Sequence, residues 1–258
     1  MKRRTFLYTA TGVVTALATS FPGTEQRLQA QTSEALSIQW LGHTCFWFQG
    51  GGLKVLVNPF RPVGCTAGYP DPRVETELIL ISSRLLDEGS IDGFVGNPAL
   101  LYEPGIYQFN GYQIQGIRTE KDRNRGRQFG TNVAWLWTQA GIKILHLGGL
   151  AGPINAEHRI LIGKPDVLLV PVGGGPKAYT PQEAKAVVTL LNPKVIIPMH
   201  YRTMAADETA CDLVPVDEFL ALMSGMTVQT GGSQVILTPG TLPAEGAIVQ
   251  VLQSPPLA

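Results

Sequence analysis

Charge surplus, cysteine and long apolar runs are all scarce in this chain of 258 residues, and each scarcity excludes a class of protein. Charged residues make up 16% of the chain, and 20 basic residues balance 20 acidic ones, so nucleic acid is not an expected partner. The 3 cysteines are too few and too scattered for a disulfide scaffold or a cysteine-ligated zinc site. With 44% hydrophobic residues, the chain can still bury the core of a full single domain.

The cysteines leave room for one bridge at most. In an oxidising compartment Cys45 and Cys65 are the pair that we consider. Three buried thiols, with Cys211 among them, are the alternative that the burial habits of cysteine favour.

The first thirty residues have the pattern of a targeting segment. Lys2, Arg3 and Arg4 form a basic start, and an apolar run follows from Phe6 to Phe21. A membrane-spanning helix needs about 20 predominantly apolar residues, so this run is typical of a signal peptide, and the paired arginines favour twin-arginine export. We predict a signal peptide of residues 1–30 and a single domain of residues 31–258. An uncleaved N-terminal anchor, the only route to a membrane, is the alternative.

Export would place the mature protein in the periplasm, or in the thylakoid lumen if the source is phototrophic. Removal of residues 1–30 takes away four of the 20 basic residues and one of the 20 acidic ones, which leaves a net charge of −3. The mature chain therefore also lacks the basic surplus of a nucleic-acid-binding protein.

From residue 33 onward the hydrophobic pattern predicts one α/β domain. Alternation or continuous apolar runs predict strands at 36–41, 45–48, 53–57, 78–81, 111–117, 132–137, 142–146, 167–171 and 195–198, with closing strands near 228 and 235–237. Thr180, Pro181 and Glu183 predict the start of a helix that ends at Leu191, and a second helix is predicted at 215–223. Two groups of strands, each followed by helices, favour two sheets packed face to face with helices outside.

Several segments, in order, resemble the metallo-β-lactamase superfamily and within it the branch of ascorbate-lactonase-like hydrolases. The segments are Trp40-Leu-Gly-His-Thr44, Gly52-Leu-Lys-Val-Leu-Val-Asn-Pro59, Gly141-Ile-Lys-Ile-Leu-His-Leu-Gly-Gly149, Pro165-Asp-Val-Leu-Leu-Val-Pro-Val-Gly-Gly174 and Asn192-Pro-Lys-Val-Ile-Ile-Pro-Met-His-Tyr201. The resemblance spans roughly residues 36 to 240 and implies an αββα sandwich with the site on loops at one edge of the sheets. In that superfamily two zinc ions activate a water that attacks an ester, lactam or phosphodiester.

Most of the zinc ligands that the resemblance implies are replaced. The first two histidines of the His-x-His-x-Asp-His run fall on Ser83 and Leu85, and the third histidine of the first metal falls on Lys121. The bridging aspartate falls on Gly149. Since leucine cannot bind a metal and a charged lysine repels one, the first metal and the bridge are predicted to be lost.

The second metal site is only partly lost by the same comparison. Asp87 and His200 are kept, and Glu88 stands where the middle histidine would be. Asp87, Glu88 and His200 could therefore hold a single zinc, iron or manganese ion, with Asp87 and His200 as the candidate catalytic groups. In the alternative, no cofactor is bound, both acids are solvated, His200 keeps a structural hydrogen bond, and Lys121 neutralises the carboxylates.

A ligand could instead be attracted by basic residues beside the presumed cleft. Lys121 and Arg123 begin a cation-rich loop, and His43 is a candidate for the same role. A solvated loop, and a His43 that bonds only to the backbone, are the alternatives. His146 is interpreted as a core histidine and His158 as a surface one. The aromatic residues at alternating strand positions are interpreted as core packing, and they are Trp40, Phe46, Trp47, Phe48, Trp135 and Trp137.

Two functions follow from these residues. In the first, the chain is a non-catalytic or strongly divergent homologue that binds a small anion or a protein partner through the old cleft. In the second, it is an active hydrolase of an ester, lactone or phosphodiester that uses one metal.

Overall fold

The first sheet begins with the strand pair that the alternating pattern predicts. Leu36–Gly42 (β1) buries every second side chain and pairs antiparallel with Cys45–Gly50 (β2). The glycine-rich turn that follows leads into Leu53–Val57 (β3), which pairs antiparallel with β2. Gly42 makes the turn between β1 and β2 possible, because its φ is 109° and an added Cβ would lie 2.8 Å from the Tyr69 ring.

The structure is a computed structural model that describes residues 35–94 and 96–258. Its first sheet also contains Leu78–Leu80 (β4), Ala99–Leu101 (β5) and Gln234–Leu237 (β13). The six strands of this sheet have the order β13-β1-β2-β3-β4-β5. Strand β4 is buried along its whole length, as predicted for an apolar strand between two layers.

The second sheet has eight strands, which are Gly105–Phe109 (β6), Tyr112–Glu120 (β7), Thr131–Gln139 (β8), Ile142–His146 (β9), Val167–Pro171 (β10), Val195–Met199 (β11), Thr227–Thr230 (β12) and Ile248–Val251 (β14). Their order in the sheet is β12-β14-β11-β10-β9-β8-β7-β6. Strands β9, β10 and β11 are parallel, and β10 and β11 are buried throughout. Strands β7 and β8 run longer than predicted because their antiparallel ladder continues to Glu120 and Thr131.

Three α-helices belong to the described part of the chain. Pro181–Leu191 (α2) has the bounds that the sequence predicts, since Thr180 accepts the Glu183 N–H at 3.2 Å and Asn192 ends the helix in a left-handed conformation. Helix α2 packs on β10 and on Asp217–Leu222 (α3), which is shorter than the predicted 215–223. Ala156–Ile162 (α1) was not predicted. None of these helices is long and apolar enough to cross a membrane.

The aromatic residues lie in the core, as predicted. Trp40 and Phe46 stack with ring centroids 6.2 Å apart, and Phe48 meets Trp137 edge to face at 4.9 Å. All of the six named in the sequence are buried except Trp47, which is half-buried. Burying such rings removes a large apolar surface from water and so stabilises the fold.

Both expectations for the cysteines are wrong, the favoured one of three buried thiols and the alternative of a Cys45–Cys65 bridge. Cys65 is bonded to Cys211, and Cys45 is a free, buried thiol. Cys45 begins β2, whereas Cys65 lies in a single 3-10 turn (Gly64–Thr66) and Cys211 in the loop after β11, and the Cα atoms of these two residues are 4.7 Å apart. The boundary predicted at residue 30, with the signal peptide before it, lies outside the described residues and stays a prediction.

His146 is a core histidine with both ring nitrogens bonded, as predicted. Its Nδ1 accepts the Gly148 N–H at 3.1 Å, so Nε2 carries the proton and donates to the Thr44 carbonyl at 3.0 Å. Burial lowers its pKa from 6.5 to about 3. The ring is therefore neutral in the folded protein at neutral pH.

We expect the bridge to be detectable by counting thiols. Oxidised, unfolded protein should alkylate at one cysteine and reduced protein at three. Cys65→Ser should lower the free energy of unfolding by about 2–4 kcal/mol, because the denatured chain loses a long-range constraint, whereas Cys45→Ala leaves the bridge intact. Three alkylated cysteines in unreduced protein would contradict this bridge.

We also expect a defined pH dependence from His146. Its folded pKa is below its unfolded value of 6.5, so its contribution to stability is present above pH 6.5 and is lost as the pH falls towards 3. Between pH 6.5 and pH 3 the wild-type protein takes up about one proton at His146 when it unfolds, and His146→Gln takes up none there. The variant should therefore lower the slope of the unfolding free energy against pH by about 1.4 kcal/mol per pH unit. Urea unfolding between pH 7 and pH 4 measures the slope, and an unchanged slope would contradict the neutral core histidine.

Candidate metal centre

The candidate site is built from loops at the ends of strands in both sheets. His43 lies in the turn between β1 and β2, and Glu88 lies in the loop after β4. Lys121 directly follows β7, Gly149 follows β9, and His200 follows β11. Residues far apart in sequence therefore meet at one edge of the paired sheets, as the resemblance implied.

A fully buried ion pair occupies the middle of this site. Lys121 Nζ donates a hydrogen bond to Glu88 Oε2, and neither side chain is exposed to solvent. Ser83 Oγ donates to the same carboxylate oxygen at 3.1 Å. Burial lowers the pKa of Lys121, and the adjacent Glu88 carboxylate opposes that shift. Removing one member of such a pair leaves an uncompensated charge in the interior, which is costly.

Gly149 makes the space that this ion pair needs. A Cβ added to Gly149 would overlap with Lys121 Nζ and with Glu88 Oε1. In the metallo-β-lactamase pattern this position carries the bridging aspartate. The glycine and the lysine are therefore sterically coupled, because the ammonium group lies against the place where an aspartate side chain would begin.

Two neutral histidines stand beside the ion pair with unused ring nitrogens. The rings of His43 and His200 lie edge to face with centroids 4.2 Å apart, and His200 Nδ1 is 3.7 Å from Glu88 Oε1. Burial lowers the pKa of both histidines, and the positive charge of Lys121 adds to the shift at His200. Both residues adopt positive φ angles, 53° and 55°, and the His200 N–H donates to the His43 carbonyl at 3.2 Å.

These groups fit a single cation. One ligand atom from each of His43, Glu88 and His200 lies within 4.8 Å of the others. Within residues 35–94 and 96–258, both ring nitrogens of each histidine and Glu88 Oε1 are buried without a hydrogen-bond partner. Buried polar atoms normally have partners, and neutral imidazole with carboxylate is a usual donor set for zinc, iron or manganese.

The same test does not favour a pair of zinc ions. Ser83, Leu85, Lys121 and Gly149 stand at the positions that the resemblance assigns to four further ligands. Lys121 Nζ is occupied by its bond to Glu88, and Gly149 carries no donor atom. The donors needed to hold the first metal and the bridge are therefore missing from these positions.

Asp87 lies at the mouth of the site and faces a lysine that the sequence interpretation missed. Its Oδ2 accepts from Lys177 Nζ at 2.6 Å and lies 3.9 Å from His43 Nε2. Burial alone would raise the pKa of Asp87, but neighbouring positive charge, including that of the Lys177 ammonium bonded to it, holds the pKa below its usual value. Lys177 belongs to the loop after β10, and a lysine after a glycine run was the only signal for it.

Asp122 and Arg123 fix the shape and the position of the cation-rich loop. Asp122 accepts four backbone N–H groups of residues 124–129, at 2.7 to 3.1 Å. Arg123 bonds Glu183 at 2.9 Å and the carbonyls of Gly175 and Ala178. This guanidinium therefore joins the loop after β7 to the loop that carries Lys177.

The predicted site residues are thus divided between two arrangements. Of the predicted metal ligands, Glu88 and His200 lie together, His43 completes their cluster, and Asp87 pairs with Lys177 instead. Of the predicted anion-binding residues, Lys121 pairs with the buried Glu88, Arg123 pairs with the partly exposed Glu183, and His43 is buried. Their functional roles stay predictions.

Two structural alternatives from the sequence are wrong. Glu88 is fully buried and Asp87 is only 14% exposed, so these acids are not solvated. The side chains of His43 and His200 make no hydrogen bond to any described residue, so neither is held in the way expected of a structural histidine. Both errors concern how deeply these loop side chains are buried, which the hydrophobic pattern of the strands does not reveal.

Comparisons with known proteins place this chain in a family. The family described as the beta-lactamase superfamily domain matches residues 37–200. The chain is 34% identical to a Thermotoga maritima protein assigned to the zinc-dependent hydrolases of the metallo-β-lactamase superfamily, with a TM-score of 0.67 over 84% of this chain and 100% of that one. This likeness confirms the predicted αββα sandwich of the metallo-β-lactamase type.

Curated relatives extend the likeness. A UPF0173 protein of Pyrococcus furiosus is 28% identical over 65% of this chain and 84% of its own length. A UPF0173 metal-dependent hydrolase of Aeropyrum pernix is 29% identical over 64% of this chain and 82% of its own length. The chain belongs to the beta-lactamase superfamily, among relatives that are named metal-dependent hydrolases.

Proposed function

We propose that this protein is an exported, divergent member of its family whose site is centred on the Lys121–Glu88 ion pair instead of two zinc ions. In this proposal it binds a small anion and does not hydrolyse a substrate with metal-bound water. The observation that carries the proposal is the buried ammonium group of Lys121, which bonds Glu88 directly and lies against Gly149.

Electrostatics supports this view of the centre. The ammonium already compensates the charge of Glu88 inside the protein. A divalent cation on the same carboxylate would lie close to that ammonium in a poorly screened interior, and the two would repel each other. A charged Lys121 therefore disfavours metal, whereas a deprotonated one would not.

The disulfide supports export. Bonds of this kind persist in oxidising compartments and are rare in the reducing cytosol. The Cys65–Cys211 bridge therefore agrees with the twin-arginine signal predicted for residues 1–30 and with a periplasmic or lumenal location. A disulfide-bonded, correctly folded chain recovered from an exported fraction is the expected result.

A single-metal hydrolase is the second candidate, and the unpartnered nitrogens of His43 and His200 favour it. His43, Glu88 and His200 would hold the ion. A bound ion would polarise a substrate carbonyl or activate a water. In that case Asp87, paired with Lys177 at the mouth, is placed to orient an incoming group or to take a proton from it.

The ion-pair centre predicts a large stability difference between two lysine variants. Lys121→Met removes the buried cation and should lower the free energy of unfolding by about 3–5 kcal/mol, because Glu88 stays buried without compensation. Lys177→Met breaks a pair that keeps some contact with solvent, so it should cost clearly less, about 1–2 kcal/mol. Adding Glu88→Gln to Lys121→Met should restore much of the loss. Equal costs for the two lysine variants in urea unfolding would contradict the ion-pair centre.

Metal analysis separates the two candidates. Protein that is exported, or refolded with zinc, iron or manganese, should carry clearly less than one ion per chain if Lys121 fills the site. One ion per chain, with turnover of a chromogenic ester, lactone or phosphodiester, would overturn the proposal. In that outcome His43→Ala should lose the ion if His43, Glu88 and His200 hold it, whereas Asp87→Ala should lose it if Asp87 is a ligand.

A further inference from the structure

A cavity of about 530 Å³ opens beside the candidate site and is not part of its ligand cluster. It is bounded by the start of the loop after β4, by the loop after β5, and by residues of β7 and β8 with the segment between them. Its volume lies in the range of small-molecule sites. We infer that it binds a small organic anion with an apolar body, whose carboxylate is recognised by Arg84 and Arg118.

The charge of the lining supports an anionic ligand. Arg84 and Arg118 both line the cavity, and Glu103 is the one acidic residue there. Across the described ranges of the chain, neither guanidinium makes an ion pair. Two unpaired guanidinium groups against one carboxylate leave a net positive lining, and arginine is well suited to bidentate recognition of a carboxylate.

The walls of the cavity support an apolar body on the ligand. Ile81, Val133 and Phe129 line it with Tyr102 and Pro104. Arg84 stacks on the Tyr102 ring at 4.8 Å, which holds its guanidinium at the wall. An acetate-sized ion could satisfy the charge but would leave these apolar walls in contact with water.

Strand pairing gives the floor of the cavity a fixed geometry. Val133 lies opposite Arg118 in the β7–β8 ladder, and its N–H donates to the Ser82 carbonyl at 2.8 Å. The backbone that carries Arg118 is therefore linked through β8 to the loop that carries Arg84. Sites supported by regular elements hold their geometry more accurately than sites on loops alone.

Ser83 connects this cavity to the ion-pair centre. It lines the cavity, and its Oγ donates to Glu88 Oε2 at 3.1 Å. A carboxylate in the cavity would thus adjoin the centre without entering it. This cavity would be the place where the anion of the proposed function binds. The inference rests on the proposed function in one respect, namely that the protein binds an anion.

Benzoate is a suitable probe, with acetate and benzamide as its matched controls. Calorimetric titration should show benzoate binding more tightly than acetate, which lacks the apolar body, and than benzamide, which lacks the charge. Arg84→Gln and Arg118→Gln should each weaken benzoate binding by about tenfold, since each removes a charged hydrogen-bond donor. Glu103→Gln should strengthen it.

Arg159→Gln is the control for general charge attraction, because Arg159 is exposed on α1 and does not line the cavity. It should leave benzoate affinity unchanged. Absence of benzoate binding by folded protein, equal binding of benzoate and benzamide, or equal losses in Arg159→Gln and Arg118→Gln would each overturn the inference. Thermal unfolding of every variant verifies that it is folded.

The result is separable from that of the metal analysis. If the protein carries one metal ion and still binds benzoate through Arg84 and Arg118, the ion-pair proposal fails and this inference stands. If the protein is free of metal and Lys121→Met is strongly destabilised, but benzoate does not bind, this inference alone fails.

Discussion

The buried ion pair between Lys121 and Glu88 is the constraint on which the rest of the site depends. Its two charges have left water completely, so each is tolerated only because of the other. Ser83 supplies a further donor to the carboxylate, and Gly149 leaves room for the ammonium. The neighbouring histidines stay neutral in this setting, where burial and a nearby positive charge both oppose their protonation.

The fold around this centre follows from patterns that are local in sequence. Alternation predicted β1, and the capping residues Thr180 and Glu183 fixed the start of α2. Continuous apolar runs predicted the buried strands β10 and β11. Such patterns reflect burial on one face or both, so they survive without knowledge of the tertiary structure. Helix α1 was not predicted because its seven residues are too few to show a helical period clearly.

The site was harder to predict because its contacts join distant loops. The position of Lys121 near the acids came from the family resemblance, and no local pattern indicates that it bonds Glu88 while Asp87 turns to Lys177. The side chains of adjacent residues in a tight loop point in different directions. The spacing in the sequence does not show which of the two acids, Asp87 or Glu88, faces the buried lysine. The Cys65–Cys211 bridge spans 146 residues, and three cysteines allow three pairings that composition cannot rank.

The steric relation between Gly149 and Lys121 couples what the two positions can carry. Gly149→Asp alone would drive a side chain into the ammonium and the carboxylate that now fill the space. Lys121→His alone would leave Glu88 without its cation in a dry interior. The two positions are therefore energetically coupled, so a substitution at one of them changes which residues the other can accept.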